Sequence, residues 1–286
     1  MSSGRTLKGG LPPAFHDDLM RLVRAPSIAL EELEIAWPFV QRTIEKRRAQ
    51  LERSIPLDDP VRAPVDLLGP LRRQADETLH SLALAYLLDP NQPHGLGKLP
   101  MLALLRRVKT LPGGRSSGAR HALSVLSGAR VRVTVTPEYR HRVEGVRGRH
   151  AARADIWIEI RARNHAALVV IENKVNASES ESQLTWYERH AKQWRRRVGP
   201  HGHPLLLFLT PDGRPATSSL NAKWVSLPYA ALAGALRSVW LRGADTDGAA
   251  WLRHYLATLT RSVIGLNVGP NHSPSLSDLS LYLEGS

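Results

Sequence analysis

Residues 154–175 read Ala-Asp-Ile-Trp-Ile-Glu-Ile-Arg-Ala-Arg-Asn-His-Ala-Ala-Leu-Val-Val-Ile-Glu-Asn-Lys-Val, an order that encodes two strands joined by a tight turn. Asp155, Trp157 and Glu159 alternate with Ile156, Ile158 and Ile160, the period of two that puts successive side chains on opposite faces of a strand. A second strand runs from Ala166 to Val175. With Arg163-Asn164 as a two-residue turn between antiparallel strands, Asp155 faces Glu172, and Lys174 shares their side of the sheet. A turn with an odd number of residues sends Glu172 and Lys174 to the opposite face, because a one-residue slip turns every side chain over. The residues therefore predict a register as well as a hairpin.

Two carboxylates and an ammonium at the end of a Val/Ile-rich hairpin are costly to desolvate unless something compensates them. A divalent cation does so. Asp and Glu are hard oxygen ligands suited to Mg²⁺ or Mn²⁺, and Mg²⁺ is commonly held by one or two carboxylates together with substrate phosphate and water. Lys174 is then placed to orient or help deprotonate an attacking water while the metal stabilises charge growing on the phosphate. The pattern points to metal-dependent cleavage of nucleic acid. The plainer alternative is a cross-strand salt bridge of Lys174 with Asp155 or Glu172, a weak and common surface feature. Lysine is scarce here, occurring at positions 8, 46, 98, 109, 174, 192 and 223 in a chain whose other basic residues are Arg. A compact ammonium suits a site that handles protons better than a planar guanidinium does.

Asp155 followed by Glu172-Asn173-Lys174 resembles the D…(D/E)-x-K signature of the PD-(D/E)XK nuclease superfamily, the restriction-endonuclease-like fold. Ala154 stands where the superfamily's name has proline. Downstream, Gln183-Leu184-Thr185-Trp186-Tyr187 is similar to the Gln-Leu-x-x-Tyr helix motif of exonuclease-like members. Upstream, Glu77-Thr78-Leu79-His80-Ser81, Leu87-Leu88-Asp89-Pro90 and His94-Gly95-Leu96-Gly97 resemble the first core helix and loop of one uncharacterised branch. The resemblance covers residues 70–230. It implies an α/β fold with an αβββαβ core, a central mixed sheet flanked by helices. It further implies a metal site on Asp155 and Glu172 with Mg²⁺ (or Mn²⁺), Lys174 as the catalytic lysine, and Glu77 as an accessory acidic residue and metal ligand. Gln183 and Tyr187 would line the cleft.

The segment from Ala75 to Leu88 is so apolar that it reads as a buried helix within 71–88, with Leu79, Leu82, Ala83, Tyr86 and Leu87 on its core face. Glu77, His80 and Ser81 then form a polar stripe by i, i+3, i+4 spacing. In the bland reading, Glu77 answers the helix dipole and His80 is a satisfied core histidine. Gln183 and Tyr187 share a face of a helix over 179–198, where Gln183 can bond Lys174 or a metal-bound water and Tyr187 can reach a phosphate. Trp186 and Trp194 read as packing residues.

The formal net charge of +13 and pI of about 10.7 create a field that attracts polyanions, with nucleic acid, DNA above all, as the expected partner. Membrane surfaces and acidic proteins are compatible with the charge alone. Basic clusters stand at Lys46-Arg47-Arg48, Arg106-Arg107-Val108-Lys109 and Arg195-Arg196-Arg197, each explicable as solvated surface. The stretch 138–153, with Arg140, Arg142, Arg147, Arg149 and Arg153, leads directly into Asp155 and is the expected phosphate-tracking loop. No Cys occurs, which excludes disulfides, thiolate zinc sites and Cys nucleophiles. The amino terminus has no signal-peptide core and no segment is apolar enough to span a bilayer, so a cytoplasmic location without membrane contact is expected.

The expected organisation is a helical extension and linker over 1–64, a nuclease-like domain over 65–265, and a flexible tail over 266–286. Pro38 should break the extension's long helix, while Pro56, Pro60 and Pro64 mark the linker. A strand at 130–137, the hairpin, the helix 179–198, strands at 204–209 and 224–227, and helices at 229–241 and 247–263 complete the order. Gly114-Arg115-Ser116-Ser117-Gly118 fits a nucleophile elbow but follows Pro112-Gly113 and reads as a loop. His201 and His203 lack a third ligand nearby and receive no role. No P-loop is present. Two function classes remain: a Mg²⁺-dependent nuclease, acting in defence or repair, and a non-cleaving nucleic-acid or partner-binding module on the same fold. A homodimer or a partner protein is compatible with either.

Overall fold

A computed structural model describes residues 30–113, 117–140, 153–176, 183–199, 202–218, 224–243, 246–268 and 272–284, with 30–36, 140 and 153 described by backbone alone. Helix α1 spans Leu30–Arg53, α2 Glu77–Leu88, α3 Leu99–Thr110 and α4 Ser117–Leu126. Strands β1 (Arg132–Arg140), β2 (Arg153–Ala162) and β3 (His165–Asn173) follow. Then come α5 (Gln183–Val198), β4 (His203–Thr210), β5 (Val225–Pro228), α6 (Tyr229–Leu241), α7 (Asp247–Thr258) and α8 (Leu276–Leu283). The strands form one mixed sheet in the order β1-β2-β3-β4-β5, antiparallel through β3 and parallel beyond it. This is the α/β, restriction-endonuclease-like architecture.

The hairpin register is the expected one. Ala162 pairs with His165 and Ile156 with Ile171, leaving Arg163-Asn164 as the two-residue turn, with Arg163 at the positive φ of 44° that a primed hairpin turn uses at its first central position. Both sheet faces are covered, which accounts for the unbroken apolar run of β3. Ile156, Ile158, Ile160, Val169, Ile171, Leu207 and Leu209 enter the larger core with α2, α3, α4, α6 and α7. Trp157, Leu168, Val170 and Phe208 meet Leu184, Tyr187, Ala191 and Trp194 of α5 on the other face. Parallel pairing of β3 with β4 requires a crossover, which α5 supplies.

Several expectations are corrected. Helix α1 runs through Pro38 without a break, since one missing donor near its start removes little of a 24-residue helix, and Arg48 anchors it by donating to Pro274 O at 2.9 Å. The expected linker is packed: Ile55, Asp59 and Ala63 are buried, and Asp59 pairs with Arg237 at 2.6 Å. Residues 276–283 of the expected loose tail are helical, because Ser275 caps the helix by accepting from Asp278 N and Leu279 and Tyr282 share one buried face. That approach is close enough for a Cβ on Gly234 to lie 2.5 Å from Leu281 O. Ser117 and Gly118 open α4 rather than a loop, Gly118 packing where a Cβ would stand 2.7 Å from Pro204 O; residues 114–116 lie outside the described residues.

Helix α2 is also turned relative to expectation. His80, Ser81, Leu84, Ala85, Leu87 and Leu88 are its buried residues, while Leu82 is 42 % exposed. Apolar side chains surround this helix, so its composition does not select a face. The polar stripe goes inward because distant partners satisfy it. His80 Nε2 meets Gln74 O at 2.8 Å and its Nδ1 meets the Tyr255 hydroxyl at 3.3 Å. Burial pushes the His80 imidazole pKa down, which favours the neutral ring.

Candidate active site

The ladder between β2 and β3 ends at Ile156–Ile171, and Asp155 lies just beyond it. On the other side of β2, Glu138 has a φ of 54° and drops out of the ladder between the pairs Pro137–Ile156 and Tyr139–Ala154. The register is the same on both sides of Glu138, so this is a local backbone irregularity opposite Asp155 and not an inserted residue. Asp155 Oδ2 accepts from the Asn173 backbone N–H at 2.7 Å.

Glu172 is fully buried, and Lys174 Nζ stands 2.9 Å from its Oε1 and 3.7 Å from Glu77 Oε2. The Lys174 backbone is fixed from the neighbouring strand, its N–H donating to Leu209 O at 2.9 Å. Although the ammonium is close, neither Glu172 oxygen receives a hydrogen bond of good geometry among the described residues. Burial, and then the charge of Asp155, push the Glu172 carboxyl well above the usual range. Burial also raises Asp155, against the Asn173 N–H that favours its charged form. Burial disfavours the Lys174 ammonium, but the carboxylates of Glu172, Asp155 and Glu77 together outweigh it and hold Lys174 above its ordinary value. Fully ionised, Asp155, Glu172 and Lys174 carry a net charge of one negative unit around the buried Glu172 carboxylate.

Glu77 reaches the same place from α2. Its Oε1 accepts from Val175 N at 2.9 Å and Asn176 N at 3.2 Å, so this carboxylate ties the chain after β3 to the helix. Among the described residues no three Asp, Glu, His or Cys side chains form a ready metal cluster. The pair Asp155 and Glu172 still fits a hard divalent cation, because the Glu172 oxygens lack a well-directed donor, Asp155 gives one oxygen to the Asn173 N–H, and Mg²⁺ completes its shell with water and phosphate.

Tyr187 is buried beside Glu172, whose charge adds to burial in pushing the phenol far up and keeping it protonated. Gln183 Nε2 donates to the Tyr187 hydroxyl at 2.6 Å, so these two expected residues meet each other at the site's edge. Asp89 and His94 do not join them. His94 Nε2 bonds Asp89 O and its Nδ1 accepts from Leu96 N, closing the loop before α3. Arg140 and Arg153 pair at the end of the β1–β2 ladder with undescribed side chains, and Arg142, Arg147 and Arg149 lie outside the described residues, as does His201.

Sequence reasoning passed over Asn173, which is fully buried. Its Nδ2 donates to Glu77 O and Ser81 Oγ, each at 3.1 Å, and its Oδ1 accepts from the Tyr229 hydroxyl at 2.6 Å. One side chain thus joins α2 and α6 to the strand whose amide holds Asp155. The available signal was an amide at the end of an apolar strand, a group that must find partners once buried.

A family model described as PD-(D/E)XK nuclease superfamily matches residues 65–257. No curated protein and no solved structure matches the chain.

Proposed function

This chain belongs to the PD-(D/E)XK nuclease superfamily, and on that premise we propose that it is a Mg²⁺- or Mn²⁺-dependent nuclease hydrolysing phosphodiester bonds in DNA, in defence or repair. The observation that carries the reading is half-buried Asp155 set against fully buried Glu172 beside Lys174, with neither Glu172 oxygen receiving a well-directed hydrogen bond among the described residues. A bound divalent cation would supply Lewis acidity toward the scissile phosphate. Asp155 and Glu172 would hold it. Lys174, kept protonated by the surrounding carboxylates, serves as a donor that positions the attacking water and answers charge growing on the phosphoryl oxygens. Glu77 acts as a positioning residue through Lys174 and the Val175–Asn176 amides. Tyr187, supported by Gln183, borders the cleft as a neutral donor toward phosphate. Arg140, Arg142, Arg147, Arg149 and Arg153 are assigned to phosphate contacts on their charge and their place in the chain before Asp155.

The test is purified protein with labelled single-stranded DNA, duplex DNA and RNA in Mg²⁺, Mn²⁺ or EDTA. Cleavage should need the metal, and Lys174→Ala should lower it by at least about a hundredfold, the low end for loss of a transition-state donor, while leaving binding intact. Cleavage that persists in EDTA, or binding without cleavage under every metal, would overturn the reading.

A further inference from the structure

Helix α5 starts at the site with Gln183 and Tyr187 and runs back along the sheet for 16 residues, about 24 Å at 1.5 Å per residue. Leu184, Tyr187, Ala191 and Trp194 bury one face. The other face is basic: Arg189, Lys192, Arg195, Arg196 and Arg197 are all exposed, and among the described residues no acid pairs with any of them. Elsewhere Arg73, Arg107, Arg161, Arg237 and Arg261 each meet a carboxylate. The acid of α5, Glu188, is buried and accepts from Trp224 Nε1 at 3.1 Å, so it does not offset the outer charges. Like charges at i, i+3 and i+4 repel one another, and a polyanion laid along the helix relieves that repulsion.

Trp186 adds a second, independent feature. Trp157 and Trp194 fill the core beneath α5, but Trp186, one residue before Tyr187, joins neither apolar cluster and stays half-buried. Its ring lies 19° from parallel to His190 with centroids 6.0 Å apart, and the Arg189 guanidinium stands 5.6 Å from its centroid. An indole left partly in water beside a guanidinium offers the chemistry that stacks nucleobases. Bases inside a duplex have both faces covered, so only an unpaired base can use it.

We propose that the outer face of α5 is a track for a single strand of the DNA substrate, with Trp186 and Arg189 holding an unpaired base near the site. Lys192 and Arg196, on the same line as Arg189 by i+3 and i+7 spacing, meet the phosphates beyond it. The identity of the polymer rests on the nuclease reading; the single-stranded character rests on α5.

The experiment measures anisotropy of a fluorescein-labelled oligothymidylate and of a duplex of equal length in EDTA, across a salt series. The variants are Trp186→Ala, Trp186→Phe and the triple Arg189→Gln/Lys192→Gln/Arg196→Gln, each checked for native circular dichroism. The strand should bind more tightly than the duplex, Trp186→Ala should weaken it about tenfold, and Trp186→Phe should recover most of the loss. The triple variant should flatten the log–log salt slope by about 2, at roughly 0.7 for each phosphate no longer neutralised. Duplex binding as tight as strand binding, or folded variants that bind like the parent, would overturn the track. Cleavage in Mn²⁺ is read separately. A protein that binds the strand in this way without cutting leaves the track standing and sinks the nuclease; one that cuts duplex and ignores the α5 variants does the reverse.

Discussion

Two buried ionic clusters lie on the core face and at the strand ends of this molecule, and they are built in opposite ways. Beneath the carboxy-terminal helix, Asp59 Oδ2 accepts from Arg237 Nε at 2.6 Å while its Oδ1 accepts from the Tyr282 hydroxyl at 2.6 Å and from Val61 N at 3.1 Å. The Arg237 guanidinium also sits 5.3 Å from the Tyr282 ring centroid. At the ends of β2 and β3, by contrast, Glu172 is equally inaccessible and has no well-directed donor, with a second carboxylate beside it. A buried charge with both oxygens answered by donors fastens elements together. One left short of donors costs stability and is kept where something else will supply the missing charge.

The largest expected effect lies in the satisfied cluster. Asp59→Asn strands the Arg237 charge between α6 and the segment before α2, and should cost about 3–5 kcal/mol, the range for removing one member of a buried pair. Urea denaturation in EDTA measures it. A loss below about 1 kcal/mol, within the range of exposed pairs, would show that this cluster does not hold the fold.

The second effect is the dependence of the candidate site on pH and metal. The folded-state pKa of Glu172 is raised above its ordinary value of 4.5, so its contribution to stability is whole below that value and is lost as pH rises through the folded pKa. Asp155, raised from 3.8, acts in the same direction. Asp76, held low by its hydrogen bond from Arg73, acts oppositely, so the informative quantity is the difference between the parent and Glu172→Gln across pH. In EDTA that difference should move against the parent as pH climbs. Mn²⁺ at a hundred times its Kd should return about 2.7 kcal/mol to the parent alone, and more of it at higher pH, because protons and cation compete for the same oxygens. A parent whose thermal midpoint ignores Mn²⁺ would break the contrast between the clusters.

The two clusters also differ in how far the sequence discloses them. Asp155, Glu172 and Lys174 are legible because strand periodicity and a two-residue turn are local rules, and the pairing of Ala162 with His165 carries the register to the site. Gln183 and Tyr187 are legible together for the same reason, being one helical turn apart. Asp59 is not legible, since its partners Arg237 and Tyr282 stand more than 170 residues away and its surroundings, Pro56 to Pro64, have the composition of a linker. Helix α2 fails similarly. Its inward face depends on Tyr255 and on Asn173, which Tyr229 also holds, and no periodicity within Glu77–Leu88 reports them. Helix α8 is hidden by its flanks, where Ser, Pro and Asn outweigh the short stripe of Leu279 and Tyr282.

The smallest effect is the sharpest discriminator, because its sign is unusual. Asp155→Asn keeps an oxygen able to accept the Asn173 N–H, now bonded at 2.7 Å, and removes the like charge facing Glu172. Without metal the variant should be more stable than the parent, on the order of 1 kcal/mol, the equivalent of somewhat less than one pKa unit of relieved repulsion. For a chain of this size that is roughly 2–4 °C in thermal midpoint. The same change should erase the Mn²⁺-dependent rise and the cleavage, since the cation then finds one carboxylate where it needs two. Gain in EDTA with loss in Mn²⁺ is the behaviour of a site whose strain exists for a ligand. If Asp155→Asn instead destabilises the metal-free protein as Asp59→Asn does, the carboxylates at the strand ends are fasteners too, and the distinction between the two clusters disappears.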